Sequence, residues 1–491
     1  MYLSKSKYCS GIQCKKILWL DKNNPEVRDD SSNQSVLDNG TEVGEFAKGL
    51  FGKYVNVNYC DDLKTMIKDT KSLLLMNKIV ITEASFEYEN NFCSVDILKK
   101  DNDKYEMYEV KSSTEVSDIY LEDISYQYYV LTSLGYDVSK ACIVHLNSDY
   151  ERVGKLELNK LFKIEDVTDI VLEKQDEVLE NIKDINKYMD EVTEPLEDLG
   201  MHCFAPYECP YFKFCSNWLP DHNVFNIRGM RTSTKVKYYE DDKYKYEDLL
   251  KEKINEKYRE QIEFELYDKK DKIDKKGIKE FLDTLSYPLY FLDFETYQQA
   301  IPEYDHVKPY MQIPFQYSLH YIENKGGYLK HLEFLAEADI DPRRELAQRL
   351  VNDIPSNVCV LAYNMSFEKT VIKNLASLYP DLSEHLMKIH DNIKDLMIPF
   401  KDRCYYTKSM AGSFSIKYVL PALYPDDPSL DYHNLELVHN GSEAMNSYAT
   451  LGDLSREEQA HVRERLLRYC ELDTYAMVKI YEKLLKVIKD V

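Results

Sequence analysis

The sequence predicts a multidomain α/β protein, and three observations lead to that prediction. The chain has 491 residues, which is too long for one ordinary domain. From residue 286 onward, the buried-looking strand YPLYFLDFETY is followed by alternating strand and helix patterns, as in α/β folds. Before it, residues 226–285 are rich in charged side chains, which indicates solvated helices. We therefore predict domains at 1–225 and 286–491, joined by a charged helical connector at 226–285.

Composition narrows the class of protein. Hydrophobic residues make up 44% of the chain, enough for sizeable cores, and no apolar run approaches the ~20 residues of a membrane span. The first residues lack the apolar segment of a signal peptide, so we expect a cytoplasmic protein whose 11 cysteines are reduced. A net charge of −23 argues against a protein that coats nucleic acid non-specifically, but it is compatible with an enzyme that has a local basic groove.

The stretch 105–114, YEMYEVKSST, contains the first candidate site. Alternate side chains of a strand share a face, so Glu109 and Lys111 point the same way, which is unsuited to a core. The preceding strand, NNFCSVDILKK, carries Asp96, and a turn at KKDNDK would pair the two strands as a hairpin. Two neighbouring carboxylates would hold Mg²⁺ or Mn²⁺, and Lys111 would orient a water for attack on phosphorus. The alternative is an exposed hairpin with a cross-strand ion pair.

The spacing of Asp96, Glu109 and Lys111 resembles the PD-(D/E)XK nuclease signature. The predicted helix LEDISYQYYVLTSLGY resembles the glutamine-containing helix of RecB-type nucleases, with Gln127 at the glutamine position and Leu131 where a tyrosine is usual. The resemblance implies a restriction-endonuclease-like module in the first domain. It assigns metal binding to Asp96 and Glu109, and it assigns catalytic roles to these two residues together with Lys111 and Gln127.

A helix further upstream matches the same nucleases in part. DNGTEVGEFAKGLF resembles their first-helix motif, but Gly44 occupies the position of the expected histidine. Glu42 or Glu45 could supply the missing group. Glu83, in IVITEASFEY, is a further candidate acidic partner, or else a surface residue at a strand end.

The cysteines of HCFAPYECPYFKFC form a dense group. Cys203, Cys209 and Cys215 fall within 13 residues, with two prolines between them, which does not suit a packed helix. Cys14 is our candidate for a fourth ligand, with Cys9 as a competitor. Four cysteines would suit zinc or an iron–sulfur cluster, and the remaining alternative is a set of buried free thiols. The arrangement resembles AddB and CRISPR-associated RecB-like exonucleases, which implies a [4Fe–4S] cluster, with structural Zn²⁺ as the alternative.

The strand YFLDFETY introduces a second group of carboxylates. Asp293 and Glu295 are one residue apart and share one face of an otherwise apolar strand. Downstream, VCVLAYNMSFEKTVIKNLA predicts a strand, a turn and a helix with Glu368 in its first turn. Near the end, RERLLRYCELDTYAMVKIYEKLL predicts an amphipathic helix on which Tyr469 and Asp473 share a face. Taken singly, each pair could instead belong to a solvent-exposed strand end or helix face.

This ordered set closely resembles the DEDD 3′–5′ exonucleases of the RNase H-like fold. Asp293 and Glu295 match the first motif, the predicted turn at Asn364 precedes the second, and Tyr469 with Asp473 matches the tyrosine subtype. The resemblance implies an RNase H-like α/β domain that binds two divalent ions ~3.5–4 Å apart. Tyr469 would orient the attacking water, and the implied metal ligands are Asp293, Glu295, Glu368 and Asp473.

The second motif departs from the family at one position. Glu368 stands where an aspartate is usual, although its longer side chain could still reach a metal. Asp395, in NIKDLMIPF, could substitute for it or support it. Lys417, in GSFSIKYVLPALYP, could contact a phosphate or could be a surface lysine.

Nearly the whole chain resembles a bacterial family that joins a RecB-like iron–sulfur nuclease module to a DEDD-type exonuclease domain. The sequence therefore predicts a metal-dependent nuclease with two candidate active sites, acting on nucleic acid, with DNA favoured over RNA, in repair, processing or defence. We expect no membrane partner. One alternative is a single-activity exonuclease whose N-terminal module is a non-catalytic nucleic-acid clamp. The other is a non-enzymatic partner-binding protein whose acidic residues serve solubility.

Overall fold

The computed structural model describes residues 2–29, 34–430, 432–435 and 437–489. The chain divides into two compact units. The first contains residues 1–220, 232–240 and 299–310, and the second contains residues 221–231, 241–298 and 311–491. Each unit combines a mixed β-sheet with helices, so the prediction of a multidomain α/β protein is confirmed. None of the helices in the described ranges is long and apolar enough to span a bilayer.

The unit boundaries differ from the predicted domain boundaries. Residues 226–285 do not form a separate connector, since residues 232–240 belong to the first unit and residues 241–285 to the second. The physical reason is that this charged stretch also carries apolar side chains that are fully or almost fully buried, among them Val236 and Ile262.

The first unit is built on a seven-stranded mixed sheet. Its strands are β1 (Leu3–Ser4), β2 (Val55–Asn56), β3 (Val80–Tyr88), β4 (Asn91–Asp101), β5 (Lys104–Lys111), β6 (Val138–Leu146) and β7 (Phe162–Asp166). Its helices are α1 (Lys5–Gln13), α2 (Lys15–Asn23), α3 (Gln34–Lys48), α4 (Leu63–Leu75), α5 (Asp118–Ser133), α6 (Leu158–Leu161), α7 (Thr168–Glu173), α8 (Gln175–Met189), α9 (Phe212–Cys215) and α10 (Thr232–Glu240).

The topology of this sheet positions the first candidate site. The strand order is β2-β3-β4-β5-β6-β7, with β1 paired to β4. The predicted hairpin is confirmed, because β4 and β5 are antiparallel and meet at a tight turn where Asn102 takes a positive φ. β5 and β6 are parallel, so the chain must cross over between them, and α5 makes that crossover. Helix α5 packs on β3, β4 and β6, and its Gln127 side chain reaches Glu109 of β5.

The second unit contains a five-stranded sheet and a small two-stranded one. Its strands are β8 (Lys272–Ile273), β9 (Leu289–Tyr297), β10 (Ile313–Ile322), β11 (Leu329–Leu335), β12 (Cys359–Ala362), β13 (Ile393–Asp395) and β14 (Tyr405–Tyr406). Its helices are α11 (Tyr246–Leu249), α12 (Glu256–Tyr267), α13 (Lys275–Leu282), α14 (Arg343–Asp353), α15 (Ser366–Leu378), α16 (Pro380–Asn392), α17 (Ile398–Lys401), α18 (Ile416–Leu423), α19 (Gly441–Ala449) and α20 (Arg456–Lys489).

The larger sheet has the order β11-β10-β9-β12-β13. β9, β10 and β11 are antiparallel neighbours, whereas β9, β12 and β13 run parallel. The predicted strand around YFLDFETY is the central strand β9. The predicted strand, turn and helix are also confirmed as β12, a left-handed residue at Asn364 and α15.

Helices cover both faces of this sheet. The Sγ atom of Cys470 on α20 lies 3.9 Å from the carboxylate of Asp293, so α20 covers the face to which Asp293 points. On the opposite face, Tyr317 of β10 donates a 2.6 Å hydrogen bond to Asp353 at the end of α14. The acidic side chains of β9 are thus enclosed between the sheet and α20.

Candidate functional site

A cluster of buried and half-buried carboxylates lies between β9 and α20 in the second unit. The carboxylates of Asp293 and Glu295 and the thiol of Cys470 have ligand atoms within 4.8 Å of one another. Asp473 lies one helical turn after Tyr469 on α20, and both side chains are buried. The structure therefore brings together the strand and helix residues that the sequence singled out.

Glu368 belongs to the same group. It lies in the first turn of α15, is only 2% exposed, and its Oε2 atom has no hydrogen-bond partner. Its charge contributes to a raised pKa for Asp293. Asp395, the predicted substitute, accepts hydrogen bonds of 3.0 Å from the backbone N–H groups of Asn364 and Met397, so it supports the turn before α15.

Burial and mutual repulsion disfavour the ionised forms of these clustered carboxyl groups. Burial and neighbouring carboxylates raise the pKa of Asp293 well above its ordinary value, and burial followed by the charge of Asp473 does the same to the pKa of Glu295. Burial also raises the pKa of Glu368 to about 8 and that of Asp473 to about 6. Lys417 partly offsets the negative charge at Glu295 and Asp473. Such a centre attracts cations.

Two tyrosine hydroxyls lie beside Asp473. Tyr432 donates a 2.6 Å hydrogen bond to its Oδ1 atom, and a hydrogen bond from Tyr469 lowers the pKa of the same carboxyl group. The two rings pack edge to face at 6.2 Å, and the ammonium of Lys417 lies 5.9 Å from the Tyr432 ring. Tyr432 was missed by the sequence analysis, because its segment is far from the motifs and no spacing rule links it to Asp473.

The predicted residues of the first unit also converge. Asp96 accepts a 2.7 Å hydrogen bond from the backbone N–H of Val110 on the paired strand. Lys111 lies 2.8 Å from Glu109, and Gln127 of α5 donates a 2.7 Å hydrogen bond to the other oxygen of that carboxylate. The predicted set of Asp96, Glu109, Lys111 and Gln127 is therefore a single cluster.

Two further residues complete this cluster. Asp123 lies 2.5 Å from Lys111 and accepts a 3.0 Å hydrogen bond from Gln127. Asp123 and Gln127 are four residues apart on a predicted helix, so a shared face was a usable sequence signal for Asp123. Lys5 of α1 lies 2.8 Å from Glu109 and 3.4 Å from Asp96. No local pattern connects Lys5 to residues about a hundred positions away.

Lys5 holds the position between two carboxylates at which the sequence analysis expected a divalent ion. The charges of Lys111 and Lys5 outweigh the effect of burial and keep the pKa of Glu109 well below its ordinary value. Burial and the charge of Glu109 nevertheless raise the pKa of Asp96 to about 7. This cluster is thus better balanced in charge than the carboxylate group of the second unit.

The candidates around the first-helix motif have other contacts. Lys48 of α3 pairs with Glu45 and lies 3.6 Å from Glu83. Burial and the charge of Glu303 raise the pKa of Glu42. Of these candidates, Glu83 is the one whose charge contributes to the raised pKa of Asp96 in the cluster. Its backbone takes a positive φ within β3.

The four predicted cysteine ligands lie in one neighbourhood. Burial raises the pKa of Cys209 to about 12, and the thiols of Cys14, Cys203 and Cys215 contribute. Gln13 joins the two parts of the chain by donating 2.8 Å hydrogen bonds to the backbone oxygens of residues 202 and 207. The competitor Cys9 lies elsewhere, since Asp123 and Lys111 are the charged groups with the largest effects on its pKa.

The positions of the four cysteine sulfurs and the groups around them can be compared with the needs of a bound metal. Within the described residues, no three of the four sulfurs lie within 4.8 Å of one another. A zinc ion bonded at about 2.3 Å to four sulfurs would place them about 3.8 Å apart, so binding of zinc would require these side chains to move closer together. Burial raises the pKa values of Cys14, Cys203 and Cys209, and backbone N–H groups directed at these thiols offset part of that rise.

Comparison with known proteins connects the second unit to a family. Residues 290–415 match the family described as "Domain of unknown function (DUF2779)". This segment includes Asp293, Glu295, Glu368 and Asp395, whereas Asp473 lies outside it.

Similar proteins occur in Ureaplasma and Mycoplasma species. The chain is 25% identical to uncharacterized protein UU173 of Ureaplasma parvum over 439 residues, which cover 79% of this chain and 62% of that protein. It is 27% identical to uncharacterized protein MG366 of Mycoplasma genitalium over 209 residues, 39% of this chain and 31% of that protein. A homologue of MG366 in Mycoplasma pneumoniae is 28% identical over 42% of this chain and 34% of its own length. The chain thus spans less than two thirds of these relatives, and no solved structure matches it.

Proposed function

We propose that this protein is a divalent-metal-dependent nuclease whose hydrolytic centre is the carboxylate group of the second unit. One observation carries the proposal: the half-buried Asp293 and the buried Glu295, Glu368 and Asp473 gather with raised pKa values, and few cations balance them. A protein bears the cost of such an arrangement where bound metal ions offset it. The sheet order, with three antiparallel strands followed by two parallel ones, supports an RNase H-like domain of the DEDD type.

The donor atoms fit Mg²⁺ or Mn²⁺, because these ions prefer carboxylate oxygens. The Oε2 atom of Glu368 has no hydrogen-bond partner, so this glutamate could bind a metal ion at the position where DEDD exonucleases have aspartate. The residues that would hold the ions are Asp293, Glu295, Glu368 and Asp473. When bound, such ions lower the pKa of water and stabilise charge on the leaving oxygen of a phosphodiester.

The chain's own residues would perform the remaining steps. The Tyr469 hydroxyl, placed beside Asp473, would orient the attacking water by a hydrogen bond. Tyr432 would keep the Asp473 carboxylate in one orientation. Lys417 would contact a non-bridging phosphate oxygen, since its charge is directed toward the same carboxylates. Water adds to phosphorus, the P–O bond to the sugar breaks, and the leaving oxygen takes up a proton.

The substrate in this proposal is nucleic acid, with DNA favoured over RNA, in repair, processing or defence in the cytoplasm. The test measures cleavage of labelled single- and double-stranded DNA and RNA in Mg²⁺ or Mn²⁺. We expect Asp293→Ala to lose at least about 100-fold in rate, because several kcal/mol of charge stabilisation disappear. Asp391→Ala, which removes an exposed carboxylate of the same unit, serves as the control and should cleave normally. Absence of any metal-dependent cleavage by the wild-type chain would instead favour a non-enzymatic partner-binding protein.

The contacts of Lys5 support a separate, non-catalytic function for the first unit. The order of its elements, with antiparallel β3-β4-β5 and the α5 crossover to β6, supports a PD-(D/E)XK-like module. Because the Lys5 ammonium bridges Asp96 and Glu109, we propose that this cluster is a nucleic-acid clamp rather than a second hydrolytic centre. Lys111→Ala should then retain cleavage that Asp293→Ala loses. Loss of cleavage in both variants would contradict the clamp.

The cysteine set of the first unit is proposed to hold a [4Fe–4S] cluster. The four thiols lie in one neighbourhood with backbone N–H groups directed at three of them, which supports a metal centre, and the resemblance to RecB-like exonucleases favours a cluster over structural Zn²⁺. Cys14 comes from the junction of α1 and α2, and Cys203, Cys209 and Cys215 come from the far end of the same unit. The proposed role is structural, since these ligands would tie distant parts of the chain together.

A further inference from the structure

Two histidines and a glutamate form a separate group on the second unit. His320 of β10 and His331 of β11 are directly paired in the antiparallel ladder, and their rings are 4.4 Å apart. One nitrogen of each ring and one carboxylate oxygen of Glu471 on α20 lie within 4.8 Å of one another. His320 is buried, His331 is half-buried and Glu471 is exposed, so the group opens to solvent on one side.

The hydrogen bonds around the two rings determine which nitrogens keep a lone pair. The hydroxyl of Thr474 donates to the backbone oxygen of Glu471 at 3.1 Å, so it can only accept from its other neighbours. His320 therefore donates from Nδ1 to Thr474 over 2.8 Å. Ser318 likewise donates to Thr474 over 2.7 Å, and it must then accept from Nε2 of His331, 2.9 Å away. The lone pairs left free are on His320 Nε2 and His331 Nδ1.

This pattern is the one that metal-binding histidines have. A ligating imidazole usually donates its other N–H to a fixed oxygen, which sets the tautomer and the ring orientation. Here Thr474 and Ser318 supply those oxygens. Burial and the charge of His331 also lower the pKa of His320 to about 4, so the ring is neutral at neutral pH.

We propose that His320, His331 and Glu471 bind a transition-metal ion of the zinc class, with water in the open position. Two imidazole nitrogens and one carboxylate oxygen select such an ion over Mg²⁺, which prefers oxygen ligands. The site is distinct from the carboxylate centre, because His320 lies two residues beyond Ser318, the register partner of Asp293. Glu333 is close enough for Glu471 and His331 to affect its pKa, and it adds negative charge at the open side.

The position of Glu471 determines how a metal ion reaches the site and which elements a bound ion would connect. Together with Glu333 and Tyr475 it lines a solvent-accessible groove of about 520 Å³, through which an ion can enter. A bound ion would join β10 and β11 to α20. Because α20 also carries Tyr469 and Asp473, the ion would hold these residues against the sheet, a consequence that depends on the proposed nuclease function.

The test is equilibrium dialysis of the full chain against a low concentration of free Zn²⁺ in excess Mg²⁺, followed by elemental analysis. We expect His331→Ala and Glu471→Gln to retain one zinc ion per chain fewer than the wild type. Glu464→Gln, which changes another glutamate of α20 on the same groove, is the matched control and should retain as much as the wild type. Circular dichroism verifies that each variant is folded.

A second readout separates metal binding from hydrogen bonding alone. Thr474→Val removes the hydroxyl that orients His320 and should weaken Zn²⁺ binding by about 10–100-fold. Asp293→Asn should leave this zinc in place whether or not the chain is a nuclease. Equal zinc retention by the wild type, His331→Ala and Glu471→Gln would overturn the proposal, and so would loss of the same ion in Asp293→Asn, since the ion would then belong to the carboxylate centre.

Discussion

Glu368 is the residue whose environment most directly predicts its role. It is buried, one of its oxygens has no partner, and its pKa is raised to about 8 by burial. We expect Glu368→Gln to lower metal-dependent cleavage by about 100-fold, because a neutral amide is a poor ligand for Mg²⁺, while the metal-free chain becomes more stable. Glu368→Asp keeps a carboxylate and should retain more activity than the amide variant. Full activity of Glu368→Gln in cleavage assays would show that Glu368 holds no essential ion.

Lys5 gives a second prediction for a single residue. Lys5→Ala leaves Asp96 and the almost fully buried Glu109 without their shared cation. We expect the metal-free chain to lose at most about 3 kcal/mol of unfolding free energy, the lower end for a broken buried pair, because Lys5 is itself a quarter exposed. Mg²⁺ should restore part of the loss by taking the vacated position. Urea unfolding with and without Mg²⁺ measures both effects.

The matched control for Lys5 is Lys64→Ala, which removes an exposed lysine on α4 of the same unit. It should change stability by no more than about 0.5 kcal/mol. If Lys5→Ala behaves like Lys64→Ala, the Lys5 ammonium is not the counter-ion of this cluster.

The site residues differ in how well a sequence can predict them. Asp293 and Glu295, or Glu109 and Lys111, lie within one strand, so their shared face follows from the period of two. Asp473 and Tyr469 follow in the same way from the helical period. Lys5 and Tyr432 reach their sites only through the folded chain, and no local spacing connects them to their partners. Predictable residues are therefore those whose geometry is decided within one element.

At the scale of elements, strong periodicity made β9, α15 and α20 predictable, whereas the charged stretch 226–285 was misread. Its charges were interpreted as a solvated connector, but buried residues such as Val236 and Ile262 assign its parts to two different units. The face of β10 offered an unused signal, because Gln316, Ser318 and His320 alternate as polar residues on one side. A strand with a polar buried face indicates a site or a hydrogen-bond network beneath a helix.

The junction of β9, α15 and α20 predicts how stability depends on pH. The pKa values of Glu368 and Asp473 are raised to about 8 and about 6 by burial, above their values in the unfolded chain. Groups of this kind favour folding when neutral, so their stabilisation is present in acid and is lost as the pH rises through the folded-state pKa values. We expect the unfolding free energy of the metal-free chain to fall between about pH 5 and about pH 8, by roughly 1.4 kcal/mol for each unit of pKa shift, and its melting temperature to fall with it.

Two comparisons check this pH dependence by calorimetry. Mg²⁺ should flatten the fall, because bound ions stabilise the ionised carboxylates. Glu368→Gln should also reduce it, whereas Glu384→Gln on α16, which changes a fully exposed carboxylate, should leave it unchanged. A metal-free chain that gains stability from pH 5 to pH 8 would contradict the electrostatics of the centre.

At the scale of the whole molecule, the candidate sites of the two units are assembled from different parts of the chain. In the second unit, the carboxylates and tyrosines come from elements between β9 and α20, and the matched family segment ends before Asp473. In the first unit, Cys14 and the cysteines 203–215 lie near opposite ends of the segment 1–220, and hydrogen bonds from Gln13 join the two regions. The proposed metal would therefore add to a contact that the chain forms by itself, which makes graded rather than complete unfolding the expected result of its removal.

Cys14→Ser provides the corresponding test. We expect anaerobically purified wild-type protein to be brown, with about four iron atoms per chain. Cys14→Ser should lose the colour and most of the iron, and its first unit should unfold at lower denaturant concentration, because the link between distant segments is gone. Cys60→Ser, which alters a half-buried cysteine outside the set, is the control and should keep the iron. A colourless wild-type protein with one zinc ion would show that the four cysteines bind structural zinc and not a cluster. A metal-free wild-type protein whose stability is unaffected by Cys14→Ser would show that the four cysteines are ordinary buried thiols.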